Sequence, residues 1–167
     1  MRFEIVIFLF LPKFLKIRCM KLTRLGVLLV FALLISIFAA CSKKSEDQQM
    51  LDYIAKKGWT ASGTSEGLYY VQDTSALGSG GYPNASSTVK VKYTGYLLDE
   101  TVFDSNSSGF TTSLTKVIPG WQIGIPKFKK GGKGHLLIPS ALGYGSTGAG
   151  SIPGSVPIVF DIELVSF

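Results

Sequence analysis

Side chains able to carry out acid–base, nucleophilic or metal chemistry are scarce in this sequence. His135 is the only histidine, and it lies beside Leu136 in an apolar run typical of a strand, so we expect it to face solvent rather than bind a metal. Asp161 and Glu163 alternate with apolar residues, and we interpret them as solvated charges at a sheet edge. The sequence contains no Cys–His cluster, no nucleophile elbow and no phosphate-binding glycine loop. We therefore expect neither a metal nor a cofactor.

Aromatic residues are the remaining candidates for a site, because each brings a large apolar surface to its surroundings. The alternative for each is an ordinary place in the core of a small domain. A tryptophan at the start of a helix and a tyrosine in a glycine-rich loop are poor core residues, however, which favours a function for those two. The candidates are Tyr93, Phe103, Phe110, Trp121, Tyr144 and Phe160.

The elements that must position these residues are mainly strands. From Gly67 onward, short β-like runs are separated by Gly, Pro, Ser and Asn, a pattern typical of an antiparallel sheet. Val89–Thr94 and Ile158–Leu164 alternate apolar and polar residues with a period of two, so each is expected to place one face on a core. Leu68–Val71 and Leu136–Ile138 are two further candidate strands.

Two short helices are predicted. The window Trp121–Phe128 follows a Pro-Gly pair, and Pro126 should end or bend the helix there. A second helix over about 46 to 57 is indicated by the capping-box pattern Ser45–Gln48 and by Gly58 as a C-terminal stop. Its modest apolar face could rest on the domain or serve only as a spacer.

The segment between Ile138 and Ile158 is too rich in helix and strand breakers to hold regular structure. A floppy surface connection is one interpretation. Tyr144, Ile152 and the prolines inside the segment favour an ordered loop, and long ordered loops are often functional. The breakers are Pro139, Gly143, Gly145, Gly148, Gly150, Pro153, Gly154 and Pro157.

The first 40 residues have the layout of an export signal. Lys21 and Arg24 precede Leu25–Ala40, an uncharged apolar run that is shorter than the roughly 20 residues of a membrane-spanning helix. The small residues before Cys41 resemble the lipobox of bacterial lipoproteins, in which the thiol is acylated, although Phe38 stands where Leu is usual. We therefore predict lipidation at Cys41. The alternative is that Cys41 is an incidental residue of a buried or spanning helix.

Two neighbouring features refine this prediction. Residues 1–19 add a second basic and apolar patch before Met20, so we hypothesise that translation starts at Met20. Ser42, rather than Asp, follows the predicted lipidation site, which resembles lipoproteins sent to an outer membrane. The expected location is the bacterial cell envelope, with the protein lipid-anchored to the outer membrane on its periplasmic or surface face.

The net charge of +6 belongs mostly to this leader. Six of the 17 basic residues, but only one of the 11 acidic residues, precede Cys41. The remaining basic cluster, from Lys127 to Lys133, is interpreted as a solvated turn rather than a nucleic-acid footprint. Nucleic acid is therefore not an expected partner.

Several short motifs in the second half, taken together, resemble the FKBP-type peptidyl-prolyl cis-trans isomerases. Any one fragment would be weak evidence, but together the eight fragments follow the family's order and spacing. The match spans about Gly67 to Phe167, so we divide the chain into a leader over 1–40, a lipidated tether with a short helix over 41–66, and an isomerase domain over 67–167. The motifs are Val91–Leu97, Phe103–Ser105, Val117–Trp121, Gly131–Lys133, Ile138–Pro139, Gly143–Gly145, Ile152–Pro153 and Val159–Leu164.

The resemblance implies an α+β fold, in which a twisted antiparallel β-sheet wraps around one short α-helix with an apolar cleft between them. It implies that Trp121 forms the floor of this cleft and that the Ile118 N–H holds a substrate carbonyl. Tyr144 would offer its hydroxyl as a second donor, and Asp104 would sit beside Tyr93 as the polar orienting group. The implied wall residues are Tyr93, Phe103, Phe110, Val117, Ile118, Ile152 and Phe160.

The activity implied by the resemblance is cofactor-free prolyl isomerisation that assists the folding of exported or surface proteins. Its partners would be proline-containing polypeptides, and the membrane through the lipid on Cys41. A non-catalytic lipoprotein chaperone that binds proline segments is one alternative, and a structural or adhesive lipoprotein is another. We expect a monomer.

Macrolide inhibitors are a further expected class of ligand, but three departures from the family pattern put their affinity in doubt. Asp99–Thr101 replaces a common Asp-Gly turn, and Asn106–Gly109 lacks an arginine that some members place there. The loop near Ala149 and Gly150 also lacks a bulky residue. These departures bear on inhibitor binding more than on the fold.

Overall fold

The computed structural model describes residues 44–167, so the predictions for the leader, Met20 and Cys41 lie outside the described residues. The described residues belong to one unit, Lys43–Phe167. Among them, every helix is too short or too polar to cross a bilayer.

Six strands form one antiparallel sheet in the order β1-β2-β5-β6-β3-β4. All four predicted strands are present, and the period-two pattern of β3 and β6 is confirmed. Val89 and Val91 are fully buried on one face of β3, and Phe160 and Leu164 are buried on the same face of the sheet from β6. The strands are β1 (Ser62–Gly63), β2 (Tyr69–Gln72), β3 (Thr88–Leu97), β4 (Val102–Ser113), β5 (Lys133–Ile138) and β6 (Ile158–Ser166).

Strand β4 was not predicted, because it is an edge strand rich in Ser, Asn and Thr. It pairs with β3 alone, and most of its side chains are exposed, so it needs no apolar periodicity. Register shifts between Val91 and Tyr93, and between Gly95 and Tyr96, mark irregularities that bend this edge of the sheet. Phe103 and Asp104 belong to this irregular part of β4.

The helix inside the sheet, α2 (Pro119–Gly124), contacts β5 through two glycines. A Cβ at Gly120 would clash with Ile138, and one at Gly124 would clash with Leu136. The helix ends as expected near Pro126, where the chain passes into a 3₁₀ turn over Ile125–Lys127. The structure thus confirms the α+β fold, with a sheet wrapped around one short helix.

The N-terminal helix, α1 (Glu46–Lys57), has the predicted caps. The Ser45 side chain accepts a hydrogen bond from the Gln48 N–H at 3.2 Å, and Gly58 takes the left-handed conformation at φ 67°. Met50 and Ile54 are buried in a second apolar cluster on the opposite face of the sheet, together with residues from β2, β3, β5 and β6. Helix α1 therefore rests on the domain and is not a spacer.

The predicted sheet-edge position of Asp161 and Glu163 was wrong, and His135 is less exposed to solvent than expected. Strand β6 lies between β5 and β3, so its acidic residues are not at a sheet edge. His135 is half-buried, with its Nδ1 2.6 Å from Asp161 Oδ1 and its ring stacked on Trp59 at 3.9 Å between centroids. Glu163 lies within 3.5 Å of two lysine ammonium groups, those of Lys92 and Lys133. Local alternation placed these side chains on the outer face correctly but could not show what covers them.

The contact between α2 and β5 predicts the effect of one added methyl group. Gly120→Ala should lower the free energy of unfolding by about 1–3 kcal/mol, because the methyl meets the β-branched, fully buried Ile138. This is opposite in sign to the gain that helix propensity alone would give. Urea denaturation of the full chain measures it. Gly81→Ala is the matched control, since a Cβ at Gly81 meets nothing within 4 Å, and equal midpoints for both variants would refute the tight contact.

Candidate active site

A cavity of about 270 Å³ opens between α2, the inner face of β3 and β6, and the loop that follows β5. Aromatic and aliphatic side chains form most of its wall, with a carboxylate and an ammonium group as the charged members. The lining residues are Tyr93, Asp104, Phe110, Lys116, Val117, Ile118, Trp121, Tyr144 and Phe160.

Trp121 lines this cavity and is only 4% exposed. Its ring meets those of Tyr93 and Phe160 edge to face, at 5.1 and 5.2 Å between centroids. Pro119 begins α2, at a position where a helix needs no N–H donor. Trp121 follows two residues later and therefore lies on the first turn. Among the described residues the indole Nε1–H has no acceptor, which leaves a buried donor beside the cavity.

Close ring packing continues toward the rim at Gly95. A Cβ at Gly95 would lie 2.6 Å from the ring of Phe103 and 2.7 Å from that of Phe160, so glycine permits these rings to meet over β3. Phe103 also contacts the ring of Tyr144 edge to face, at 6.3 Å. Phe103 therefore packs behind the cavity wall and supports it.

The peptide between Val117 and Ile118 is held so that its N–H stays free. Gln122 Nε2 donates to the Val117 carbonyl at 2.8 Å, and the Ile118 carbonyl accepts from the Trp121 N–H at 2.9 Å. The Ile118 N–H itself donates to no acceptor among residues 44–167. A free backbone donor at the mouth of an apolar cavity can bind a carbonyl of an extended peptide.

Two phenols at the cavity stay protonated at neutral pH. Tyr93 Oη donates to Asp104 Oδ2 at 2.7 Å, and burial together with this carboxylate raises the pKa of Tyr93 to about 12. Burial, and then the charge of Asp104, also raises the pKa of Tyr144. Tyr144 can therefore act as a neutral hydrogen-bond donor.

The loop that carries Tyr144 is ordered by its own hydrogen bonds, in agreement with the ordered-loop interpretation. The Ser140 carbonyl accepts from the N–H groups of Gly143 and Gly145, at 3.0 and 2.8 Å. The Tyr144 carbonyl accepts from the Gly148 N–H at 3.1 Å, and the Gly145 carbonyl from the Ser155 N–H at 3.0 Å.

Most of the residues singled out from the sequence come together here, and two lie off the cavity surface. Phe103 backs the wall, and Ile152 is buried in the core cluster with its N–H and carbonyl paired to Ala149. Sequence reasoning missed Lys116, which lines the rim, and Gln122, which fixes the Val117–Ile118 peptide. A polar residue directly after Trp121 on a short helix was the one available indication for Gln122, and nothing local pointed to Lys116.

Comparisons of the sequence and of the fold with known proteins identify the same protein family. A family model for FKBP-type peptidyl-prolyl cis-trans isomerase matches residues 80–165. The FKBP-type peptidyl-prolyl cis-trans isomerase FkpA of Aeromonas hydrophila is 40% identical over 130 residues, which cover 76% of this chain and 47% of that protein. FkpA of Escherichia coli K12 is 34% identical over 129 residues, which cover 75% of this chain and 47% of that protein. The chain thus spans about half the length of these curated relatives.

Solved structures agree. A peptidyl-prolyl cis-trans isomerase from Pseudomonas syringae pv. tomato superposes with a TM-score of 0.65 at 34% identity, covering 72% of this chain and 89% of that chain. The crystal structure of FkpA from Escherichia coli gives a TM-score of 0.64 at 30% identity, covering 87% of this chain and 73% of that chain.

The raised pKa of Tyr93 predicts a pH dependence of stability. The neutral Tyr93 hydroxyl contributes to the free energy of unfolding, and this contribution is fully present below about pH 10, the pKa of tyrosine in the unfolded chain. It is lost as the pH rises to about 12, the pKa of Tyr93 in the folded protein. In Tyr93→Phe, the free energy of unfolding should therefore fall less steeply between these two pH values than in the wild type. Urea denaturation across that range tests this. A wild-type slope in Tyr93→Phe would contradict the prediction.

Proposed function

Because this chain belongs to the FKBP-type peptidyl-prolyl cis-trans isomerase family, we propose that it interconverts the cis and trans forms of peptide bonds that precede proline. The observation that carries the proposal is the cavity above Trp121, which joins an apolar aromatic wall to the free N–H of Ile118. The substrates are proline-containing segments of exported or surface polypeptides, and the protein acts on them as a monomer.

The chemistry of the reaction explains why such a cavity needs no acid, base or metal. Rotation about the X-Pro bond faces a barrier of about 18–20 kcal/mol, because amide resonance is lost on the way. The twisted amide has a smaller dipole than the planar one, so a water-poor aromatic wall favours it relative to the hydrated ground state. A reduction of the barrier by about 5 kcal/mol would accelerate the reaction several thousandfold.

Each residue of the cavity has a place in this scheme. The proline ring packs on the indole of Trp121, between the rings of Tyr93 and Phe160. The Ile118 N–H binds a carbonyl of the chain and holds that side still while the other side turns. Tyr144 supplies a second, neutral donor from its loop. Asp104 fixes the Tyr93 ring by accepting a hydrogen bond from its hydroxyl group.

We place this activity at the bacterial envelope. The support is in the sequence: a basic and apolar leader ends in small residues followed by Cys41, and Ser42 follows it. A lipid on Cys41, in the manner of bacterial lipoproteins, would keep the domain at the outer membrane, where stable anchoring takes more than one acyl chain. Macrolides of the kind that bind the family are proposed ligands of the same cavity.

Isomerase activity is tested with the full chain in detergent and a short X-Pro peptide as substrate. A protease-coupled assay measures the rate of isomerisation. We expect the wild type to accelerate isomerisation, Trp121→Ala to lose at least about tenfold in kcat/KM, and Tyr144→Phe to lose about three- to tenfold. Tyr82→Phe, which removes a hydroxyl from an exposed tyrosine, should match the wild type.

The same protein distinguishes the alternatives. A folded wild type that binds proline peptides but leaves their isomerisation at the spontaneous rate would exclude catalysis and leave the chaperone alternative. Binding of envelope proteins without preference for proline would instead favour a structural or adhesive lipoprotein.

The anchor is tested by substitution of the predicted lipidation site. In a bacterial host fed a labelled fatty acid, the wild-type chain should carry the label and sediment with membranes, whereas Cys41→Ser should do neither. Cys19→Ser is the control for the other cysteine of the sequence: whether translation starts at Met1 or at Met20, it should leave both properties unchanged. Equal labelling of all three proteins would exclude Cys41 as the acylated residue.

A further inference from the structure

We propose that Glu46, on the N-terminal helix α1, is a positioning residue that holds the loop bearing Tyr144 in place. The effect of Glu46 on turnover rests on the proposed function, whereas its effect on the position of the loop does not. Glu46 lies outside the cavity; the sequence marks it only as part of the capping-box pattern, and none of the eight family motifs includes it.

The contact between Glu46 and the loop uses both oxygens of the carboxylate. Glu46 Oε2 accepts a hydrogen bond from the Ser140 N–H at 2.6 Å, and Oε1 accepts one from Ser140 Oγ at 2.6 Å. Both bonds have a carboxylate acceptor, which makes them short and strong, and both are partly buried. The two residues are 94 positions apart, so the contact is purely tertiary.

Ser140 is the residue on which the Tyr144 turn depends. Its N–H and hydroxyl bind Glu46, while its carbonyl accepts from the N–H groups of Gly143 and Gly145, the two neighbours of Tyr144. The carboxylate therefore fixes the peptide on one side of Ser140, and Ser140 fixes the Tyr144 turn through the other. A change in the position of Ser140 would be passed to the tyrosine hydroxyl.

Helix α1 is a firm base for this contact. Met50 is 1% exposed and Tyr53 is 4% exposed where they pack on the outer face of the sheet. Asp47 accepts a second tertiary hydrogen bond from the Tyr69 hydroxyl at 2.7 Å. The loop, by contrast, has glycine on both sides of Tyr144, and glycine restricts the backbone least. An external restraint therefore has most effect at this loop.

The chain offers a well-matched pair of variants. Glu46→Ala and Asp47→Ala each remove one acid from the first turn of α1 and one tertiary hydrogen-bond partner, but only Glu46 reaches the loop. Both should lower the free energy of unfolding, Glu46→Ala by more, because it loses two partly buried hydrogen bonds and Asp47→Ala loses one exposed bond. Glu46→Gln should behave nearly as the wild type, because the amide oxygen can still accept from the Ser140 N–H while its NH₂ group donates to the hydroxyl.

The first measurement is amide hydrogen exchange of the full chain in detergent. In Glu46→Ala, exchange at Leu142, Gly143 and Gly145 should be at least about tenfold faster than in the wild type, and this acceleration should exceed that of the strand amides in the same variant. Equal exchange of these loop amides in the two alanine variants would overturn the proposal. This readout does not depend on catalysis, so it remains decisive if the wild type shows no turnover, an outcome that would refute the proposed function alone.

The second measurement is a double-mutant cycle on kcat/KM for a short X-Pro peptide. Glu46→Ala should lose about three- to tenfold, Asp47→Ala and Glu46→Gln should stay within about twofold of the wild type, and Glu46→Ala should cost little further activity in a Tyr144→Phe background. Such non-additivity is expected only if Glu46 acts through Tyr144. Losses that simply multiply in the double variant would show that Glu46 has a general structural role and would refute the positioning role.

Discussion

The close contact between α2 and the sheet is the constraint on which the cavity depends. Gly120 and Gly124 are four residues apart and so lie on one face of the helix, and Leu136 and Ile138 are two residues apart and so lie on one face of β5. With no Cβ on the helix side, the two backbones approach closely. Trp121 follows the first of these glycines, so its ring turns away from β5 and toward β3 and β6. The aromatic wall forms because the helix lies so close to the sheet.

The sheet packs against a helix on each of its two faces, and this packing links the N-terminal helix to the site. Leu136, Leu137 and Ile138 are all fully buried, although adjacent residues in a strand point to opposite faces. One face packs on α2 and the other on α1. The helix that precedes the family domain thereby becomes part of the same folded unit, and the acid at its start reaches the loop at the end of β5.

Local patterns predicted most of the fold because most of its elements obey local rules. The period of two identified β3 and β6, and the caps identified α1. Strand β4 escaped because an edge strand with exposed polar residues has no periodic apolar face. Strand order is likewise not a local property, which is why Asp161 was wrongly assigned to an edge. The motif resemblance supplied the residues that the structure brings together around the cavity, whereas Gln122 and Ser140 act through contacts that no motif encodes.

The same architecture fixes the protonation state of the donors around the cavity. A phenol in an aromatic wall has little water around it to stabilise the phenolate, and here a carboxylate lies close to both tyrosines, so burial and charge both favour the neutral hydroxyl. The third donor is a backbone N–H, which does not titrate. Rotation about an X-Pro bond moves no proton, so the proposed activity needs donors that neither ionise nor exchange roles as the pH varies. A site built from phenols of raised pKa and a peptide N–H therefore keeps its hydrogen bonds as the pH varies around neutrality.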